Sequence, residues 1–226
     1  MYRFMLNNSL AATSALIRND HIYAADGKEC NIRVFDLCGN FSSRICVTRA
    51  YSRLRYNEGE CNFTALGCGC GNRIYYIDTS FNELGYTQLS TDCLQLRAVG
   101  TLTDISTANM TDGNFIVAAF ERAVYLFGYD GKPIREICRA DGCETITDFL
   151  VFGAEKYVIG TRSNDVSVIT VSDNGEKQSV IVDSRLSLRL VFASGSNIFG
   201  LFGHGYIYNR ILPIYSNGSI LRRQEF

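Results

Sequence analysis

The 226 residues allow one large domain or two small ones, and their 46% hydrophobic and 20% charged content excludes a disordered chain. Twenty-two Lys and Arg against 23 Asp and Glu leave a net charge of −1, so no global field draws the chain to nucleic acid or to an anionic membrane. Two Pro against 20 Gly, with 14 Phe, 13 Tyr and no Trp, favour strands and tight turns over helices.

The chain opens on Met1–Leu6, but Asn7, Asn8 and Ser9 break the apolar run before it reaches the length of a signal-peptide core. No later stretch approaches the ~18 apolar residues of a membrane span. The nine cysteines are an odd number, so they cannot all pair within one chain, and they fit a compartment that keeps thiols reduced. The expectation is a soluble, cytoplasmic protein with neither nucleic acid nor membrane as partner.

Five copies of one pattern follow. Each has an apolar strand, a short polar or Gly turn, a second strand, and an Asn/Asp/Gly turn into a further strand. The apolar strands start at Ile22, Phe63, Phe115, Tyr157 and Ile198, at spacings of 41, 52, 42 and 41 residues. The second strands are Ile32–Asp36, Ile74–Asp78, Val124–Phe127, Val166–Val171 and Tyr206–Arg210. Turns are expected at Gly39, Asn82, Gly131, Gly175 and Gly218, where Asn-Gly and Asp-Gly supply positive φ. Fourth strands follow at Ser43–Val47, Pro133–Cys138 and Ser179–Val182, and another short strand precedes each copy, as at Asp148–Phe152 and Leu188–Phe192.

Four strands in a period of about 45 residues are the signature of a β-propeller blade. The fold class is therefore all-β: a single five-bladed β-propeller of four-stranded antiparallel blades. The blades span about 1–47, 48–90, 91–138, 139–182 and 183–226. Tyr2–Met5 is expected beside Ile220–Phe226, closing the ring in the last blade. The run from Asn31 to Phe41 resembles the strand–turn–strand core of NHL-type propeller repeats and, more loosely, WD-repeat blades. Ala123–Ile137 is similar, while Phe35-Asp36 and Ile77-Asp78 are the only counterparts of the Trp-Asp pair. The resemblance implies a scaffold that holds partners on one face of a ring.

The innermost strands carry the candidate chemistry. Thr101-Leu102-Thr103-Asp104 and Thr145-Ile146-Thr147-Asp148 match 44 residues apart. Arg189 falls at the matching place in the fifth copy, Arg53 or Arg55 in the second, and Thr13 or Ser14 in the first. A channel ring of Arg55, Asp104, Asp148 and Arg189 is thus a candidate ligand site. Two carboxylates roughly 5–9.5 Å apart on one axis would suit a glycosidase. The competing reading pairs Arg55 with Asp104 and Asp148 with Arg189, as neutralised and structural ions.

About ten extra residues between Leu89 and Gly100 lengthen the third copy, and Leu94, Gln95 and Arg97 there are expected to rim a partner-binding face. Cys68 and Cys70, read as lying on a strand with both thiols to one side, lack the second pair that a zinc site needs, so they read as buried apolar fillers like Cys46 and Cys138. His21 and His204 sit in turns without triad spacing. Eighteen Arg against four Lys mark inter-blade ion pairs or a protein-binding face. No catalytic residue, metal or cofactor is expected. The leading reading is a non-enzymatic scaffold for a protein or small ligand, and the alternative is a carbohydrate-active propeller, lectin or glycoside hydrolase, working at the channel mouth.

Overall fold

The computed structural model describes residues 12–57, 59–92, 100–110, 113–140, 144–151, 157–163, 166–173, 176–182, 187–194, 197–204 and 208–214. Every regular element among them is a β-strand. The first sheet holds β1 (Ala12–Arg18), β2 (His21–Asp26), β3 (Asn31–Asp36) and β4 (Phe41–Cys46). The second holds β5 (Tyr51–Asn57), β6 (Asn62–Gly67), β7 (Arg73–Ile77) and β8 (Glu83–Gln88). The third holds β9 (Leu102–Met110), β10 (Gly113–Phe120), β11 (Ala123–Phe127) and β12 (Pro133–Arg139). The fourth holds β13 (Thr145–Val151), β14 (Tyr157–Ser163), β15 (Val166–Asp173) and β16 (Glu176–Val182). A three-stranded sheet of β17 (Ser187–Ser194), β18 (Asn197–His204) and β19 (Tyr208–Ile214) follows. All neighbours are antiparallel and consecutive, so each sheet is an up-and-down meander.

The chain divides into two compact units. One comprises Met1–Thr91 with Tyr129–Lys132, the other Asp92–Gly128 with Pro133–Phe226. Each has its own core. In the first unit Leu54, Phe63, Ala65, Tyr75 and Ile77 of the second sheet pack on Ala25 and Ile32 of the first. In the second unit Val117, Ala119, Val124 and Leu126 pack with Ile146, Phe149, Tyr157 and Ile159.

The burial pattern explains the sequence pattern. A middle strand covered on both faces reads as a continuous apolar run, as Ala123–Phe127 does, with every residue buried. The fourth strands are edges: β4 is exposed everywhere except half-buried Ile45. The alanines at 24, 25, 65, 118 and 119 leave room for neighbouring sheets to approach the second strand of each copy.

Turn chemistry is equally local. Asn19 and Asp20 form the two-residue hairpin between β1 and β2, both at positive φ (47° and 60°). After β3, Asp36 Oδ1 accepts from the N–H groups of Cys38 and Asn40 at 2.9 and 2.8 Å, and Gly39 sits at φ 86°. After β7, Asp78 Oδ1 accepts from Ser80 and Asn82, both at 2.8 Å. There the left-handed residue is Phe81 (φ 67°), not the expected Asn82. In the third sheet it is Gly131 (φ 79°). The expected turns at Gly175 and Gly218, and the terminal pairing of Tyr2–Met5 with Ile220–Phe226, lie outside the described residues.

Candidate functional site

The first strands of successive sheets adjoin within each unit: β1 with β5, β9 with β13, and β13 with β17. Each carries the same irregularity. The ladder skips one residue between Ala12 and Ser14, Tyr51 and Arg53, Leu102 and Asp104, Ile146 and Asp148, and Leu188 and Leu190. The extra residues are Thr13, Ser52, Thr103, Thr147 and Arg189. A bulge leaves a carbonyl of the partner strand without its ladder donor. In three sheets a hydroxyl supplies it. Thr13 Oγ1 donates to Ala25 O at 3.3 Å, Ser52 Oγ to Leu66 O at 3.2 Å, and Thr103 Oγ1 to Ala119 O at 3.1 Å. The repeated Thr-x-Thr-Asp therefore has a backbone reason, because its second Thr is the bulge residue.

The bulge also sets the equivalence of the candidate ring. Ser14, Arg53, Asp104, Asp148 and Leu190 share one register position. Of the two arginines considered in the second copy, Arg53 takes that position, and Arg55 lies two residues further along β5. Arg189 occupies the bulge itself, one place early. Asp104 is buried, 3% exposed, and its Oδ1 accepts from the Ile105 N–H at 2.8 Å. Asp148 and Arg189 lie on the backbone of β13 and β17, but their side chains are outside the described residues, as are Leu94, Gln95 and Arg97 entirely. Thirteen residues separate β8 from β9 and four separate β4 from β5, so the extra length of the third copy precedes its first strand.

In the first unit the ring side chains stitch sheets together. Ser14 Oγ donates to Leu54 O at 3.3 Å and accepts from Leu54 N–H at 3.1 Å. Arg53 Nη1 donates to Thr13 O at 2.8 Å and to Ser52 O at 3.0 Å. These polar groups tie β1 to β5 across a strand edge that has no ladder of its own.

Sequence reasoning missed two further clusters. Arg49, before β5, grips Glu83, the first residue of β8, through Nε at 2.9 Å and Nη2 at 3.0 Å. Its Nη1 reaches the Tyr75 hydroxyl at 3.1 Å, and the guanidinium lies 4.1 Å from the centre of the Tyr75 ring. The hydrogen bond to Glu83 raises the Arg49 pKa still further, so it stays charged throughout. Elsewhere in this unit, Tyr76 stacks on Tyr129 with ring centres 5.7 Å apart, while Thr87 Oγ1 donates to Tyr129 O at 3.0 Å. Burial, and then the charge of Glu60, pushes the Tyr129 hydroxyl well above the ordinary tyrosine range. The sequence holds no local signal for either cluster, since Arg49 and Glu83 are 34 residues apart.

Cys68 and Cys70 are not on a strand. They lie in the turn after β6, beside Gly69 and Gly71 at φ 68° and 65°. Nor are the described thiols buried fillers: Cys30, Cys38, Cys46 and Cys61 are exposed, and Cys68, Cys70 and Cys138 half-buried, all in the free state. The glycines close the strand early here, and Cys46 is exposed at the end of the outer strand β4. His21 opens β2, and its Nδ1 donates to Asn19 O at 2.7 Å. His204 ends β18.

No protein-family model matches the chain, and no curated protein sequence matches it. Solved structures do. The Dos1 propeller superposes with a TM-score of 0.57 at 12% identity, over 99% of this chain and 63% of that one. A protein of unknown function from Bacteroides caccae gives 0.63 at 11% identity, over 96% and 82%. BBS1N, in a complex with ARL6DN, gives 0.58 at 11% identity, over 96% and 69%. This chain thus spans less than two thirds of the Dos1 propeller. At such identities the likeness concerns the fold alone, and that fold is a β-propeller repeat of four-stranded antiparallel sheets.

Proposed function

We propose that the chain is a five-bladed, NHL-like propeller that serves as a non-enzymatic cytoplasmic scaffold, holding a protein partner on one face of its ring. One observation carries the reading. The ring positions Ser14 and Arg53, where a channel site would keep free polar groups, are committed to backbone carbonyls and amides of the neighbouring first strands. Such ties build a frame rather than a reaction centre. Support for a protein as the partner comes from BBS1N, which has the same fold and is in complex with ARL6DN. In this reading Asp148 neutralises Arg189 of the next copy, and Leu94, Gln95 and Arg97 belong to the rim that meets the partner.

The test is chemical crosslinking of the full chain in native extract, run beside a glycan array and a glycan-hydrolysis panel. A discrete crosslinked protein and a blank glycan panel are expected. Glycan retention or turnover, lost in Asp148→Asn without a fall in melting temperature, would establish the carbohydrate-active alternative instead.

A further inference from the structure

Most described cations with a strong polar partner face an acid: Arg33 faces Glu29, Arg49 faces Glu83 and Arg139 faces Glu136. Arg18, the last residue of β1, is different. It is half-buried, and among the described residues no carboxylate pairs with it. Its guanidinium lies 3.9 Å from the centre of the Tyr56 ring and 5.9 Å from that of Phe63, and Nη2 donates to the Tyr56 hydroxyl at 2.7 Å. Stacking and a single hydrogen bond fix the plane of the fork, and among the described residues most of its N–H groups meet no acceptor.

A second observation points to the same place. Phe81 holds a left-handed backbone (φ 67°) where the equivalent turn of the first sheet uses Gly39. An aromatic residue in that conformation is strained, and such strain persists where the surroundings hold it and often marks a functional surface. The result of the strain is to set the Phe81 ring 4.8 Å from Phe63 and 5.5 Å from Tyr23, with Tyr56 5.1 Å from Phe63. Arg18, Tyr56, Phe63, Phe81 and Tyr23 thus form one contiguous cluster within the first unit. Tyr23, Tyr56 and Phe81 are each only partly buried.

We propose that this cluster is a recognition subsite for a carboxylate side chain of the protein partner. The carboxylate takes the open N–H groups of Arg18, and an adjacent apolar side chain of the partner rests on Phe81 and Tyr23. A planar cation already stacked on aromatic rings is preorganised for bidentate pairing with a carboxylate. Arg and Tyr are also the residue types over-represented where interfaces concentrate their energy. The occupant is a protein carboxylate, because the complement to the Arg18 cation must be an anion and the complement to the partly buried ring faces must be apolar. An acidic residue beside a leucine-like one supplies both. The inference rests on the scaffold reading and sharpens it.

The experiment titrates the full-length chain with acetyl-Leu-Glu-Leu-amide, its Gln counterpart and inorganic phosphate, reading the Arg18 Nε–H and Tyr56 ring signals by NMR. Saturable shifts with the Glu peptide are expected, about tenfold weaker with the Gln peptide and absent with phosphate. Arg18→Gln should abolish the shifts of the Tyr56 ring signals, the readout that remains in the Arg18 variants. Arg18→Lys, which keeps the charge and loses the fork, should melt as the wild type does and bind the Glu peptide several-fold more weakly. Equal affinity for the Glu and Gln peptides overturns the proposal, as does tighter binding of phosphate or unchanged binding by both Arg18 variants. The crosslinking test separates the two readings. A partner captured equally by wild type and Arg18→Gln refutes this subsite and leaves the scaffold standing. A wild type that binds the Glu peptide but captures no partner refutes the scaffold reading and, with it, a protein as occupant.

Discussion

The turn after β3 and the turn after β7 are built on one hydrogen-bond frame and finished in opposite ways. In both, an Asp stands at the strand end, Asp36 as the last residue of β3 and Asp78 directly after β7; its Oδ1 accepts two backbone N–H groups, and its Oδ2 accepts from the Asn four residues on, at 2.8 Å for Asp36–Asn40 and 3.0 Å for Asp78–Asn82. The left-handed position then holds Gly39 in one and Phe81 in the other. Two residues further on stands Phe41 in the first turn, 59% exposed and touching Phe35 edge-on. In the second turn it is Glu83, held by Arg49. The frame makes the turn, and what surrounds it decides which side chains it can carry. The first turn lies at an open edge and uses the residue with no strain. The second is clamped by a salt bridge and an aromatic stack, and so tolerates a residue that the backbone disfavours.

The largest effect should come from releasing the clamp. Arg49→Met leaves Glu83 with Thr48 as its remaining side-chain partner, at 3.0 Å. Hydrogen bonds to charged groups contribute about 1.5–3 kcal/mol when buried. With the two side chains 32% and 19% exposed, a loss of about 2 kcal/mol is expected, read as a lower urea midpoint. An unchanged midpoint would mean that the bridge is ornamental and that Phe81 is held by the rings alone.

Phe81→Gly tests the rings. It relieves strain of about 1 kcal/mol and forfeits the packing of a half-buried aromatic, about 2 kcal/mol, so a net loss of about 1 kcal/mol is expected in the same urea titration. A stabilised variant would show that strain outweighs stacking. The reciprocal change, Gly39→Ala, adds the left-handed penalty where nothing returns it, and should cost about 1 kcal/mol. If Gly39→Ala cost more than Phe81→Gly, the contrast between the turns would be reversed.

The smallest effect is on pH. Hydrogen bonds from the Asn side chain first, and then from backbone N–H groups, hold the Asp36 and Asp78 carboxyls below the ordinary carboxylate range. Their folded-state values are depressed, so the stabilisation is fully present above the unfolded value of about 4 and fades as pH falls through the folded values. Melting temperature measured from pH 5 down to about 2 should fall less steeply in Asp36→Asn and Asp78→Asn than in the wild type. Parallel curves would assign the acid sensitivity to other carboxylates.

The copy period, the strands and the turn-forming Asp and Gly residues were legible because each depends on neighbours within a few positions. Alternation of burial produces the apolar runs, and Asp36 meets Asn40 inside one turn. The candidate ring was legible only to within a residue or two. The pattern Thr-x-Thr-Asp marked the right stretch of β9 and β13, yet a bulge shifts every later side chain by one place. Which residue bulges is settled by the carbonyl it must satisfy on the partner strand, as Thr103 does for Ala119.

By itself, then, the sequence determined an all-β repeat of four-stranded antiparallel sheets and the turns that follow β3, β7 and β11, since local backbone preference and side-chain periodicity suffice for those. Tertiary structure alone decided that Arg53 rather than Arg55 shares the register of Asp104, that Cys46 lies exposed on an outer edge, and that Phe81 could take a glycine's place. Each of those outcomes depends on what another strand, distant along the chain, presents at that spot. No propensity written into the residue itself carries that information.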